Sequence, residues 1–591
     1  MAWRTEKNAA GGNDIVIDGW EKGIADDPYE GIADLRNINI LSTPREGSVN
    51  FASAAVTLPP VLNTTAFTCA AADNRITIAT TAGFYEGMAI IINTLSGGTG
   101  LSATAGSNTF YVTNITATTF QVSVGVVYAS VVDITLDGSG TLSTAQLGTP
   151  QDSTLMEGNT FSVGVPQQFP LILDTSGQLW MLGNGTNGTT VNRLYFCGNT
   201  NHTSTAFSGL GLAYFKGYVF VFIGAAIDYI TASSLYTTTG PNGNWVIAWQ
   251  ALTAASAGHK ALSATDDALY FCNSTTVGAI LENAGSTFDP SSAATYTYNA
   301  SALSLPSYDY AQSLAQLGTN LLVGGVLNYI YPWDRVSTSF NYPIVVAESN
   351  IKVLVSSNSN AYIFAGNRGY IYITNGANVE VFKKFPDQLS GTSNPYYAWG
   401  TALYYRNQLY FSISARTNGL TTISNFAGVW GIDLETDVLR LETSLSYGTY
   451  AGTVPVLVPS GISSPTGYGM YMGWLNSTGG IDYTASTPYT NYEAYIDTDM
   501  IPVGTYFNPA TNAQIEYKLS KPLVTGESLR IAWRGNLTDA FTTVATFTTV
   551  GLVADATQVN FQKQQWAQLR ISLASTASSP SYNRLREIRM R

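Results

Sequence analysis

LAYFKGYVFVFI, Leu212 to Ile223, is an apolar run, a two-residue polar turn and a second apolar run. Val, Phe and Tyr crowd both arms, and Lys216-Gly217 between them suits a tight hairpin turn. The same arrangement recurs along the middle of the chain: LILDTSGQLWML (171–182), LSATDDALYFCN (262–273), LAQLGTNLLVGG (314–325), VSSNSNAYIFAG (355–366) and ALYYRNQLYFSI (402–413). Asp266-Asp267, Gly318-Thr319 and Arg406-Asn407 occupy the turns. A third strand follows several of them, as AIDYI (226–230), LNYIY (327–331), GYIYI (369–373) and GVWGID (428–433), and GYGMYMGWLNSTGGIDY (467–483) is a weaker seventh member. The hairpins return at intervals of roughly 40 to 60 residues, the spacing of β-propeller blades. Each such sheet cannot bury both faces alone, and stacking sheets around an axis buries them.

Helical periodicity is nearly absent, so the fold class is all-β: a β-propeller of six or seven blades with two further units. From about Phe67 to Ser143 short Thr-rich strands alternate with turns, as a small inserted β-barrel or sandwich. From about Asn491 longer alternating strands, with Leu529, Ile531 and Trp533 against Arg530, Ala532 and Arg534, predict a terminal β-sandwich. The expected layout is an N-terminal arm with the first propeller strands over 1–62, the inserted unit over 63–148, the propeller over 149–488 and the sandwich over 489–591.

Composition narrows function. Of 591 residues, 45% are apolar but only 11% are charged, less than half the usual share of about 25%. Neutral polar surfaces of this kind accompany large assemblies and virion or extracellular β-proteins. A net charge of −12 argues against gripping nucleic acid, which needs Lys and Arg to neutralise phosphates; it leaves room for a surface that nucleic acid slides past. Cys69, Cys197 and Cys272 are odd in number and widely spaced, so they read as buried thiols rather than a zinc site or disulfide framework. No signal-peptide pattern opens the chain and no apolar run is long enough to span a bilayer, so a soluble protein with no membrane insertion is expected.

Catalytic signatures are missing. WD repeats need Gly-His and Trp-Asp in every blade, yet Gly258-His259 and Trp333-Asp334 occur once each. Asp174 to Trp180 is one residue too long for an Asp box. His202 and His259 lack neighbours at ligand spacing. Asp26-Asp27, Asp266-Asp267, the Asp433/Glu435/Asp437 group and the Asp497/Asp499 pair are read as turn or strand chemistry rather than acid–base pairs. No catalytic residue, metal site or cofactor is expected, and the protein reads as a non-enzyme. Candidate partner contacts are Trp20, Tyr29 and Arg36 in the irregular N-terminal arm, and the C-terminal Arg584, Arg586, Arg589 and Arg591. In LREIRMR those arginines read either as a solvated edge strand or as a docking face for an acidic ring.

GWEKGIADDPYEGIADLRNINILSTPREGSVNFA (19–52), with Asn37, Asn39, Ile40, Leu41, Pro44 and Glu46 in its motif, opens a propeller-like chain. It resembles the tail hub or nozzle proteins of short-tailed bacteriophages, also called packaged-DNA stabilisation proteins. NTFYVTNITATTFQVS (108–123) is similar to a small β-module of phage tail proteins. The resemblance implies a virion tail protein assembled in the host cytoplasm. It implies a ring of six copies below the portal-adaptor ring, tail fibre or needle proteins as partners, and DNA passing non-specifically through the lumen. Two alternatives stand beside it. A receptor-binding or glycan-degrading tail protein would gather aromatic residues and paired carboxylates on one face; a cellular propeller would serve as an interaction module.

Overall fold

The computed structural model describes residues 3–7, 13–17, 32–36, 38–41, 46–49, 51–101, 109–124, 131–159, 166–183, 193–199, 210–236, 245–253, 259–264, 268–357, 359–385, 395–417, 421–435, 437–445, 456–459, 470–475, 479–488, 494–498, 500–504, 510–537, 539–576 and 585–591. Six four-stranded antiparallel sheets, and the first four strands of a ten-stranded sheet, make seven propeller blades. Blades 1 to 6 run consecutively over 150–199, 211–251, 261–304, 311–345, 351–384 and 395–444. Blade 7 takes three strands from 456–488 and its outer strand, Phe51–Ala55, from the far end of the chain. The innermost strand of each blade packs on that of the next, and Val456–Pro459 of blade 7 packs on Pro150–Asn159 of blade 1, which closes the circle.

The hairpins explain themselves locally. Lys216 and Gly217 both have positive φ (50° and 86°), as do Arg406 and Asn407 (52° and 61°), the twist that a two-residue hairpin turn demands. Asp266-Asp267 lies outside the described residues. Central blade strands are covered on both faces by neighbouring blades, so they run apolar without alternation. Ala361–Ala365 is buried throughout, and Tyr218–Ile223 is buried from Val219 onward. Fully buried Phe220, Phe222 and Phe271 each contribute about 2–3 kcal/mol by leaving water. Two quoted repeats differ in phase from the others: 171–182 and 467–483 are the second and third strands of blades 1 and 7, not the first and second.

Six strands between Thr65 and Thr144 form a closed barrel. It is seated on the outer strand of blade 1, where the Tyr85 hydroxyl donates to the Leu194 carbonyl (2.6 Å) and Tyr111 to that of Phe196 (3.1 Å). The C-terminal region is two-layered, but it is not built from the C-terminus alone. One layer continues blade 6 outward through Ile32–Arg36, Ala494–Thr498, Trp566–Ser575, Glu527–Arg534 and Thr542–Phe547. The other sets Trp3–Lys7 and Asn13–Ile17 beside Leu585–Met590, Ala510–Leu519 and Ala554–Gln564. Leu585–Met590 is therefore a central strand, which removes the edge-strand alternative of the two readings of LREIRMR. Trp430 and Phe411 of blade 6 share one apolar core with Ile496, Ile571 and Ile588 of the two layers.

Candidate binding site at the mouth of the axial channel

In a pleated strand, side chains alternate between the two faces of the sheet. An unbroken inner strand thus aims its side chains at the neighbouring blades and leaves backbone toward the axis. Four blades break that rule with a β-bulge. The register slips between Pro150 and Asp152, between Ala311 and Ser313, between Ile351 and Val353, and between Trp399 and Ala402. The extra residues are Gln151, Gln312, Lys352 and the pair Gly400-Thr401, and all of them line one axial cavity of about 590 Å³. A bulge re-aims its extra residue, so the polar lining follows from the register slips. The Ser313 hydroxyl donates to the Ile351 carbonyl (2.8 Å), tying two bulges together, and the Thr401 amide donates to Ser412 Oγ (2.9 Å) inside a third. Gly324 makes room there, since a Cβ would sit 2.3 Å from Ser313 Oγ.

Two lysines define the charge. Lys260, just before the inner strand of blade 3, pairs with buried Asp152 of blade 1, whose other oxygen accepts the Leu212 amide of blade 2 (3.0 Å). Lys352 makes no ion pair with any described residue. Its side chain is exposed toward the cavity yet surrounded by protein, so burial holds its pKa below the usual lysine value, and the nearby Lys260 charge pushes it the same way. Gln312 Oε1 and Ser356 Oγ, both on the lining, are buried without a hydrogen-bond partner among the described residues. Leu262, Val353 and Leu403 supply apolar wall between these groups.

The buried carboxylates are engaged elsewhere. Asp309 and Glu348 precede the inner strands of blades 4 and 5 and do the same work. Asp309 accepts the Leu327 amide (3.0 Å) and the Tyr331 hydroxyl (2.9 Å); Glu348 accepts the Asn367 and Arg368 amides and the Tyr372 hydroxyl (each 3.2 Å). Burial raises both phenols well above the ordinary tyrosine value, and their carboxylate neighbours add to it. Asp174 accepts the indole N–H of Trp180 (2.9 Å) and the amides of Gly148, Ser176 and Gln178, and Asp482 accepts that of Trp474 (3.0 Å). The Asp174–Trp180 segment, too long for an Asp box, closes its turn through this aspartate–indole bond.

Of the residues singled out in the sequence, His259 lines this channel, with both ring nitrogens engaged by backbone carbonyls, and the others do not converge on it. Trp20, Tyr29, Arg584, His202, Asp26-Asp27 and Asp499 lie outside the described residues, and Arg36 is placed on strand Ile32–Arg36. Arg586 is exposed at a register slip. Arg589 and Arg591 face carboxylates of this same chain: Arg589 contacts Glu6 (3.2 Å), Asp14 (3.5 Å) and Glu587 (3.1 Å), and Arg591 contacts Asp14 (3.2 Å) and Glu516 (3.4 Å). These arginines meet four carboxylates, because the N-terminal strands and Ala510–Leu519 pair beside them. Asp497 is clamped by Nε and Nη2 of Arg570, each donating at 2.6 Å. Asp433 Oδ1 accepts the Glu435 amide (2.9 Å) within a turn. His259 is buried, its ring between the carbonyls of Cys272 and Gly224. The three cysteines are buried free thiols, with burial raising Cys272 to about 12. Among the described residues no group of His, Cys, Asp and Glu is arranged to hold a metal, and no helix is long and apolar enough to cross a membrane. The channel residues escaped notice because Gln151, Gln312 and Lys352 carry no motif. Their signal is positional: each is the second residue of an inner strand, visible only once the blades are in register.

No family model and no curated protein sequence matches the chain. Solved structures similar to it include the WD40 β-propeller domain of Doa1, at 9% identity over 57% of this chain and 92% of that one, with a TM-score of 0.36. The β-propeller domain of Myceliophteria thermophila Cps50 (Swd1) is similar at 11% identity over 56% and 99%, TM-score 0.36. The computationally designed Ika8 protein is similar at 13% identity over 57% and 96%, TM-score 0.32.

Proposed function

We propose that the protein is a structural interaction module, a rigid propeller carrying two β appendages into a larger assembly, and not an enzyme. The observation that carries this reading is how its buried acids are used. Asp174, Asp309, Glu348, Asp482 and Asp497 are each held by donors that lock a turn, a blade or a sheet. None is paired with a second acid across an open cleft, as hydrolysis of a glycoside requires. Few charges and a neutral polar exterior suit a part packed among others.

Within that reading, the resemblance of residues 19–52 to short-tailed phage nozzle proteins supports a narrower proposal. The chain is a subunit of a six-membered tail ring that meets the portal adaptor, seats fibres and lines a DNA passage. That passage lies between copies, because a duplex is far wider than the small-molecule-sized cavity of one propeller. The cellular interaction module is the other form of the same reading, and the propeller fold fits it equally. Electron microscopy of the purified chain separates the two: a ring with an axial hole supports the nozzle, and a monomer at micromolar concentration removes it. Release of sugars from a bacterial surface polysaccharide by the purified chain would overturn the structural reading itself.

A further inference from the structure

We propose that the axial channel mouth is a binding site for a small hydroxylated monocarboxylate, the chemistry of a sugar acid. Several independent features converge. Bulges at corresponding positions in the inner strands of blades 1, 4 and 5 put Gln151, Gln312 and Lys352 on one wall-lined cavity. A bulge interrupts a ladder, and one alone is unremarkable; three that deliver amide, amide and ammonium to the same space make a lined site. The cavity volume of about 590 Å³ lies within the range of small-molecule pockets.

Charge selects the anion. Lys260 is neutralised by Asp152, so among the described lining residues one unmatched positive charge remains, on Lys352. One charge suits a carboxylate better than a doubly charged phosphate. Hydrogen bonding selects the rest of the molecule. Gln312 Oε1 is a buried acceptor without a donor among the described residues, and Ser356 Oγ is a second buried polar atom left over among them. Unsatisfied buried polar groups are costly, and a ligand that supplies hydroxyl donors removes that cost. Leu262, Val353 and Leu403 between the polar groups fit the apolar faces of a sugar ring. A simple fatty acid lacks the hydroxyls, and a neutral sugar lacks the charge.

The test is calorimetric titration of the full chain with glucuronate, N-acetylneuraminate, glucose, acetate and a short peptide with a free C-terminal carboxylate. Saturable binding of at least one sugar acid, with glucose and acetate at least tenfold weaker, is the expected result. Lys352→Met should weaken that binding by about tenfold or more, the loss of a charge-assisted hydrogen bond, and Gln312→Leu by several-fold. Unchanged circular dichroism and melting temperature in both variants separate lost contacts from lost fold. Should Lys352→Met unfold the chain, Lys352→Arg and Gln312→Leu carry the comparison. Equal binding of glucose, tighter binding of the peptide carboxylate, indifference to both substitutions, or no sugar-acid binding up to about 10 mM would each overturn the proposal. The expected complex leaves the sugar acid chemically intact, so binding and the structural role above stand or fall separately.

Discussion

The inserted barrel and the C-terminal two-layered region are both appended to the propeller, and they are attached in opposite ways. The barrel is an excursion. Leu62 and Thr144 flank it and hydrogen-bond to each other, Thr144 N to Leu62 O at 3.0 Å and Leu62 N to Thr144 Oγ1 at 3.1 Å, so the chain leaves and re-enters at one point. The two-layered region instead gathers strands from both ends of the chain: Ile15 to Ile17 pair with Ile588 to Met590, and Ile32–Arg36 lies between blade 6 and Ala494–Thr498. A loop-like insertion adds little closure entropy to the rest, whereas strands contributed from afar hold the circle together. The largest prediction follows directly. Replacing residues 63–143 by a two-glycine linker should leave a soluble, cooperatively melting propeller. Deleting residues 1–56, a shorter stretch, should leave blade 7 without its outer strand and the second layer without its edge, and yield aggregated protein. Soluble yield and near-ultraviolet circular dichroism of the two deletions decide it; equal tolerance of both would end the distinction.

The same contrast explains what could be read in the sequence. The blades were legible because each hairpin is contiguous: LAYFKGYVFVFI carries its own turn, and the neighbouring strands repeat it. The barrel was legible because its strands are also contiguous. Propeller strands were expected within 1–62, but their partner was not legible, since nothing local marks Phe51–Ala55 as paired with strand Gly479–Pro488 of blade 7. The arginines misled for the same reason. LREIRMR carries a single carboxylate of its own, Glu587, while Glu6 and Asp14 arrive from the other end of the chain. The channel residues were invisible because a bulge is a property of two strands in register, and one strand's sequence does not announce it.

A buried ion pair in the two-layered region should cost more to break than a clamp within a blade. Asp497 is buried and fixed bidentate by Arg570, whose guanidinium stacks 3.8 Å from the ring of Tyr495 and 4.1 Å from that of Phe541. Asp497→Ala should lower stability by about 3–5 kcal/mol, because it leaves the largely buried Arg570 guanidinium without its carboxylate. Asp309→Ala in blade 4 removes a partner from the Tyr331 hydroxyl and the Leu327 amide and should cost about 2–3 kcal/mol. Urea denaturation followed by tryptophan fluorescence ranks the two; the reverse order would show that the propeller, not the woven region, limits stability.

Glycines in the blades sharpen the point at lower amplitude. Gly217 and Gly366 both have positive φ, 86° and 62°. A Cβ on Gly217 meets nothing within 4 Å, whereas one on Gly366 would lie 2.4 Å from the Glu348 carboxyl. Gly217→Ala should cost about 1 kcal/mol, the backbone penalty alone. Gly366→Ala adds displacement of the carboxylate that holds Tyr372 and should cost at least about twice as much. Similar melting temperatures for the two variants would mean that the Glu348 clamp adds nothing.

The smallest effect belongs to Glu587, on the strand joining the two chain ends. Partial burial pushes its pKa up, but the Lys518 ammonium at 3.0 Å and the Arg589 guanidinium outweigh that and hold it below its ordinary 4.5. A carboxyl with a depressed folded-state pKa stabilises the fold above its unfolded pKa and loses that contribution as pH falls through the folded value. Glu587→Gln should therefore destabilise by about 0.5–1 kcal/mol at pH 7, with the deficit shrinking toward zero as pH falls below the ordinary glutamate range. Added salt should shrink it as well, because Lys518 is partly exposed. A deficit that stays constant from neutral to acid pH would mean that the side chain acts through packing, and that charge has no part in joining the two ends.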